Sequence, residues 1–172
     1  MPVSDLHRQL AAIALGAAGR YGFALAGGNA LIAHGVVNRF TADVDLVLAV
    51  DTENLRRAIA ALKSLEYSPR VPVSMDQFVD PNLRQQWANE KGMLVFSLFS
   101  PLHPKTTVDL FLEPPFDFSK ALGRAARYDL SPGLTGVFCS IDDLIDLKTK
   151  SGRPIDLQDI EHLKLLRSKG MS

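Results

Sequence analysis

The chain has 172 residues, 47% hydrophobic and 22% charged, which fits one compact globular domain rather than a disordered or fibrous chain. Nineteen basic residues balance nineteen acidic ones, so no global field draws in nucleic acid or an anionic membrane. A nucleic-acid partner would have to be held by a local basic patch. Cys139 is the one cysteine, which excludes an internal disulfide.

In "MPVSDLHRQLAAIALGAAGR", Leu6, Leu10, Ile13, Ala14 and Ala17 fall at helical spacing behind a Ser4 or Asp5 cap. Asp5, His7 and Arg8 interrupt its apolar run, and nothing approaches a membrane span, so we read a helix of a cytoplasmic protein. "FALA" (23–26) reads as a short buried strand. After Gly27-Gly28, Asn29 opens a helix that Gly35 ends. "DVDLVLAV" (43–50) is a strand, and Asp51 or Thr52 caps a helix to about Leu65 with Leu55, Ile59 and Leu62 inward. The order strand, helix, strand, helix argues α/β packing.

Residues 67–92 are proline-punctuated, with a helix predicted at "PNLRQQWANEKG". "MLVFSLFS" (93–100) and "TTVDLFLE" (106–113) predict an antiparallel pair, because the connection is only five residues long. "ARYDL" and "TGVFCS" flank "SPG" and predict a hairpin. Two helices follow, separated at Gly152, with Pro154 in the first turn of the second. The expected fold is α/β (α+β): a small mixed sheet with flanking helices in a single domain over 1–172. Its core lies at about 20–113 and its C-terminal hairpin and helices at about 124–169.

Asp43 and Asp45 are the informative residues. Alternate side chains of a strand share a face, so the two carboxylates project together, about 7 Å apart along the strand, while Val44, Leu46 and Leu48 fill the other face. Like charges there repel and lose hydration unless something positive lies between them. A divalent cation, Mg²⁺ or Mn²⁺, meets that need with hard oxygen ligands. Asp109 interrupts its own apolar strand in the same way, and would complete a three-carboxylate cluster if the strands were neighbours. Upstream, Gly27-Gly28 followed by a helix N-terminus offers unpaired N–H groups to phosphate.

Gly27-Gly28, then Arg39-x-Thr41-x-Asp43-x-Asp45, then Asp109, resembles the DNA polymerase beta-like nucleotidyltransferase superfamily. The form looks most like the branch of abortive-infection type nucleotidyltransferase toxins, and small antibiotic nucleotidyltransferases of the lincosamide type are similar too. C-terminal helices in those proteins often carry a Lys followed by Arg-x-x-Asp-x-x-Asp, matched here by Lys148, Arg153, Asp156 and Asp159. The resemblance spans roughly residues 20–165.

It implies a polymerase beta-like core plus C-terminal helices, and transfer of a nucleoside monophosphate from a triphosphate to an acceptor hydroxyl on tRNA, protein or a small molecule. Asp43 and Asp45 would hold the metals that bind the triphosphate. Asp109 would bind the catalytic metal and help activate the hydroxyl, and Gly27 and Gly28 would cradle the phosphates. Many members carry serine where Gly28 stands, so phosphate contact here would rest on backbone or on Asn29. A second reading keeps the fold without turnover, as a nucleotide-binding or partner-binding toxin–antitoxin component. A third, a phosphatase of the Asp-x-Asp type, wants an aspartate where the first strand ends in glycines.

Read from the residues alone, Lys148 lies on the apolar stripe of Ile141, Leu144 and Ile145 and wants an anion, which a phosphate could supply; it could instead snorkel to the surface. Asp156 and Asp159 share a face with Ile160 and Leu163, and Arg153 is close enough to pair with Asp156. The three either orient the substrate or form a capped helix with a surface ion pair. Arg39 is equally a partner for Asp43 or a substrate contact. Arg70, Arg84 and Lys91 are candidate acceptor contacts; Trp87, Phe96, Phe99 and Cys139 read as core. His34, His103 and His162 show no metal spacing.

Overall fold

The computed structural model describes residues 23–26, 34 and 43–170. The expected N-terminal helix, the Gly27-Gly28 turn, Asn29 and the helix it opens, Arg39 and Thr41 lie outside the described residues. Strand β1 (Phe23–Ala26) is followed by β2 (Asp43–Leu48), helix α1 (Thr52–Ser64), β3 (Ser68–Pro69), a 3-10 turn (Met75–Val79) and α2 (Pro81–Lys91). Then come β4 (Val95–Phe99), β5 (Thr107–Phe111), α3 (Phe118–Arg124), β6 (Ala126–Ser131), β7 (Leu134–Phe138), α4 (Ile141–Ser151) and α5 (Pro154–Ser168).

The strands form one mixed sheet in the order β3-β4-β5-β2-β1-β7-β6. β2 and β5 run parallel, whereas β4–β5 and β6–β7 are antiparallel as their short connections require. β1 and β2 pair antiparallel despite the stretch of chain between them, so the early β-α-β order does not build a parallel unit. The mixed sheet with flanking helices is the expected fold class.

One face of the sheet is the core. Val44, Leu46 and Leu48 of β2 align with Val108 and Leu110 of β5 and with Phe96 and Leu98 of β4, all buried. Buried Leu55, Ala58, Ile59 and Leu62 of α1 join the same cluster, as do Phe78 and Trp87. Phe96 stacks on Trp87 with centroids 5.3 Å apart and meets Phe78 at the same distance, tilted. Arg56, Arg57 and Lys63 lie on the exposed face of α1.

The helix ends follow local chemistry. Asp51 accepts from the Asn54 N–H at 2.9 Å, Asp80 from Asn82 at 2.8 Å and Ser140 from Asp143 at 3.1 Å, each satisfying a first-turn donor. Pro81 and Pro154 occupy first turns. Gly92 and Gly152 close α2 and α4 in the left-handed region at φ 62° and 63°, where a Cβ would be strained. Helix α3 was not foreseen: it is seven residues long and buries only Ala121.

Two sequence expectations are corrected. Phe99 was expected in the core and is 44% exposed; it lies on the face of β4 opposite Phe96 and Leu98. Arg84 was expected to face the acceptor, yet it is 2% exposed. Its guanidinium donates to the Phe78 carbonyl at 2.8 Å, Val79 at 3.1 Å and Leu112 at 3.0 Å, and its carbon lies 5.6 Å from the Phe78 ring centroid. Glu113 at 3.4 Å supplies the counter-charge. Arg84 thus ties the 3-10 turn and α2 to the chain leaving β5. Arg84→Ala strands several buried carbonyls and opens a cavity, so it should lower stability by about 3 kcal/mol, read as a fall in the urea midpoint at constant slope.

Candidate active site on the carboxylate face

The face of the sheet opposite the core carries the carboxylates. Asp45 is the register partner of Asp109 across the parallel β2–β5 ladder, and Asp43 is that of Thr107. Neighbouring strands lie about 4.8 Å apart and in-register side chains point the same way. Asp43, Asp45 and Asp109 therefore share one face of two adjacent strands. Asp43 is exposed, while Asp45 and Asp109 are half-buried.

Burial lifts the Asp45 carboxyl to about 6, with the charges of Asp109 and Asp43 adding to the effect. Lys148 and Arg153 lie close enough to oppose that shift without cancelling it. Asp109 is raised as well, first by burial and then by Asp43, and is held back by Ser97 and Arg70. Ser97, its register partner on β4, donates to Asp109 Oδ1 at 2.6 Å. That bond draws one carboxylate oxygen toward β4. Among the described residues no group of three or more His, Cys, Asp or Glu side chains is disposed to hold a metal ion. Carboxylate oxygens are nonetheless the ligand type a hard divalent cation takes, and Asp43, Asp45 and Asp109 are carried on one face of the two strands.

Cationic groups flank this row on both sides. On one side, Lys148 of α4 is 5% exposed and reaches Asp156 Oδ1 at 3.0 Å and Asp159 Oδ2 at 2.9 Å. The buried lysine finds its anion within the chain, so its burial does not itself call for phosphate, and it does not snorkel. Asp156, fully buried, also accepts from the Arg153 backbone N–H at 3.1 Å and from the Arg153 guanidinium at 2.9 and 3.2 Å. Burial pushes the Asp156 carboxyl up, but hydrogen bonds from Arg153, Lys148 and Ser151 outweigh it and hold it well below the carboxylate range. Arg153–Asp156 is therefore not a surface ion pair: its acid is interior, although the Arg153 side chain is 63% exposed. Asp156 and Asp159 lie on the buried face with Ile160 and Leu163 as read from the sequence.

On the other side, Arg70 donates to Thr107 Oγ1 at 3.0 Å and acts on Asp109. Lys91 is exposed near the C-terminal end of α2. Ser97 escaped the sequence reading; only its place opposite Asp109 in the register reveals it. His34 is buried and hydrogen-bonded to the Cys139 carbonyl at 2.8 Å and to the Tyr128 hydroxyl at 2.9 Å, a packing role. Cys139 is buried, and burial pushes its thiol up to about 12, so it is inert.

Residues 8–66 match the family described as Nucleotidyl transferase AbiEii toxin, Type IV TA system. The resemblance to abortive-infection type nucleotidyltransferases is thereby shown over that segment. It contains Gly27-Gly28, Arg39, Thr41, Asp43 and Asp45, and ends before Asp109 and the C-terminal helices. None of the curated proteins compared with the chain matches it. No helix among the described residues is long and apolar enough to cross a membrane.

The raised carboxyl of Asp45 has a defined consequence. A folded-state pKa near 6 against 3.8 contributes stability that is complete below about pH 4 and lost as pH rises through 6. Asp45→Asn should therefore stabilise the protein in EDTA at pH 7.5 by on the order of 2 kcal/mol, with the gain fading toward pH 4. Urea unfolding at the two pH values checks this; equal midpoints for both proteins at pH 7.5 would show that the row is not repulsive.

Proposed function

We propose that the protein is a metal-dependent nucleotidyltransferase of the toxin–antitoxin class, with Asp43, Asp45 and Asp109 at its reaction centre. The observation that carries this reading is the Asp45–Asp109 register on adjacent parallel strands, with Asp43 on the same face. The family match over residues 8–66 supports the reaction class.

A divalent cation, Mg²⁺ or Mn²⁺, held by the three aspartates would neutralise phosphate charge when bound. The chain's own part is positioning and proton handling. Arg153 and Lys148 are assigned to the triphosphate side of the row, and the resemblance assigns Gly27, Gly28, Asn29, Arg39 and Thr41 to triphosphate binding. Lys148, Asp156 and Asp159 act there by holding α4 and α5 together and by aiming Arg153. Asp109 is the proton acceptor: its place beside Asp45 on the adjacent strand and its bond from Ser97 suit an oriented base. The acceptor hydroxyl oxygen bonds to the α-phosphorus as its proton passes to Asp109. The bond from that phosphorus to the oxygen bridging the β-phosphate breaks, and pyrophosphate leaves. The toxin–antitoxin assignment carries with it a partner antitoxin and a cytoplasmic setting.

Titration of the protein with each nucleoside triphosphate in Mg²⁺ or Mn²⁺ tests the assignment. Wild type should bind at least one, EDTA should abolish binding, and Asp43→Ala should weaken it tenfold or more. Asp109→Asn should retain nucleotide but lose transfer by a factor on the order of 10³. Binding that is indifferent to metal and to Asp43 would remove the proposal. Tight binding with no turnover on RNA, protein or small-molecule acceptors would favour a nucleotide-sensing component instead.

A further inference from the structure

An open groove of about 440 Å³ lies beside the carboxylate row, lined by Arg70, Phe99, Pro101, His103 and Pro104 among others. Its volume falls within the roughly 300–1,000 Å³ of small-molecule sites. The register ties it to the row: Phe99 of β4 opposes Thr107 of β5, which in turn opposes Asp43 of β2. Phe99, Thr107 and Asp43 therefore share a face, and the ring lies two strand spacings, about 10 Å, from Asp43.

The groove is built rather than incidental. Ser100, 1% exposed, donates to the Leu65 carbonyl at 2.7 Å and accepts from the Leu102 N–H at 3.1 Å. His103 is fixed through Nδ1 by the buried Tyr67 hydroxyl at 2.9 Å, and its backbone closes turns with Ser100 and Thr106. On this floor a 44% exposed phenylalanine presents its ring. Beside it, the exposed Arg70 is anchored by Thr107 and makes no ion pair within the described residues.

A flat apolar ring next to an arginine offers stacking for a base and a charge for a phosphate. We propose that this groove is the acceptor subsite and that it takes a nucleotide unit, the base against Phe99 and the phosphate on Arg70, with the hydroxyl directed toward Asp109. The assignment rests on the transferase reading above. The sheet order decides the side: Phe99 lies on β4 and Arg70 is bonded to Thr107 of β5, the strand that carries Asp109, whereas Asp43 and Asp45 stand one strand further on β2, so the groove opens on the side of the proton acceptor. The same chemistry fits a free nucleoside monophosphate or a terminal nucleotide of a single RNA strand.

Fluorescence anisotropy and calorimetry on the full chain with Mg²⁺ and a non-hydrolysable triphosphate separate the alternatives, using cytidine and adenosine monophosphates and an eight-nucleotide single-stranded RNA as probes. Both side chains are exposed, so Phe99→Ala and Arg70→Ala should fold as wild type. Each should weaken probe binding tenfold or more, Phe99→Trp should preserve it, and triphosphate binding should be unchanged in all three. Octamer binding tighter than either monophosphate marks a strand as the source; equal binding marks a free nucleotide. Triphosphate binding without probe binding, or probe binding indifferent to the substitutions, overturns the subsite and leaves the transferase reading standing. Failure of wild type to bind any triphosphate removes both.

Discussion

Asp45 and Asp109 stand side by side on parallel strands, half out of water, and that repulsion shapes what surrounds them. A sheet built for stability alone would place apolar side chains at those two positions, as it does at Val44 and Val108 one residue earlier. Keeping carboxylates there requires positive charge nearby, and the chain supplies it from both directions. Lys148 and Arg153 approach Asp45 from the C-terminal helices, and Arg70 approaches Asp109 from the β3 side. These charges oppose the rise in the Asp45 and Asp109 carboxyls without cancelling it. Such a centre remains attractive to a divalent cation while its flanks attract phosphate.

The C-terminal helices make this arrangement rigid. Lys148 sits between Asp156 and Asp159 at 3.0 and 2.9 Å in the interior, and Arg153 closes over Asp156 from outside. A buried lysine between two buried aspartates adds little net stability compared with apolar packing of the same shape. What it secures is orientation: α4 ends at Gly152, α5 begins at Pro154, and the network fixes the angle between them. Arg153, standing at that junction, is thereby held within electrostatic reach of Asp45. The motif Lys148, Arg153, Asp156, Asp159 is thus accounted for as a bracket for one exposed guanidinium.

Periodicity made much of this legible. Asp43 and Asp45 announce themselves because each interrupts an apolar strand, and Asp109 does the same; charge in a core pattern is visible without coordinates. The β4–β5 and β6–β7 pairs followed from connection length, and α1, α2, α4 and α5 from spacing and caps. The failures share another cause. In "MLVFSLFS" both faces of the strand are apolar, Val95 and Phe99 on one and Phe96 and Leu98 on the other, so alternation cannot say which is buried. Arg84 looks like any helical cation, because the carbonyls that bury it come from the 3-10 turn and from Leu112, far along the chain. Lys148 was rightly read as needing an anion, but the anion lay across a helix junction that spacing does not resolve.

Phe99 is where the misreading informs. An aromatic ring left 44% exposed on a strand loses the burial that its neighbours Phe96 and Leu98 gain. Folding alone gives no reason to keep it so, since a polar residue would solvate that position better. The positions sharing its face along the register are Thr107 and Asp43, so the uncovered ring belongs to the same row as the carboxylates and lies beside a fixed arginine. Exposure of that kind, on a rigid strand rather than a loop tip, with its floor tied down by Ser100 and Tyr67, matches a surface kept open for a flat ligand. The core-facing side of the sheet explains why the chain folds; the other side, with its acids, its flanking cations and this ring, departs from what folding requires at each of those positions.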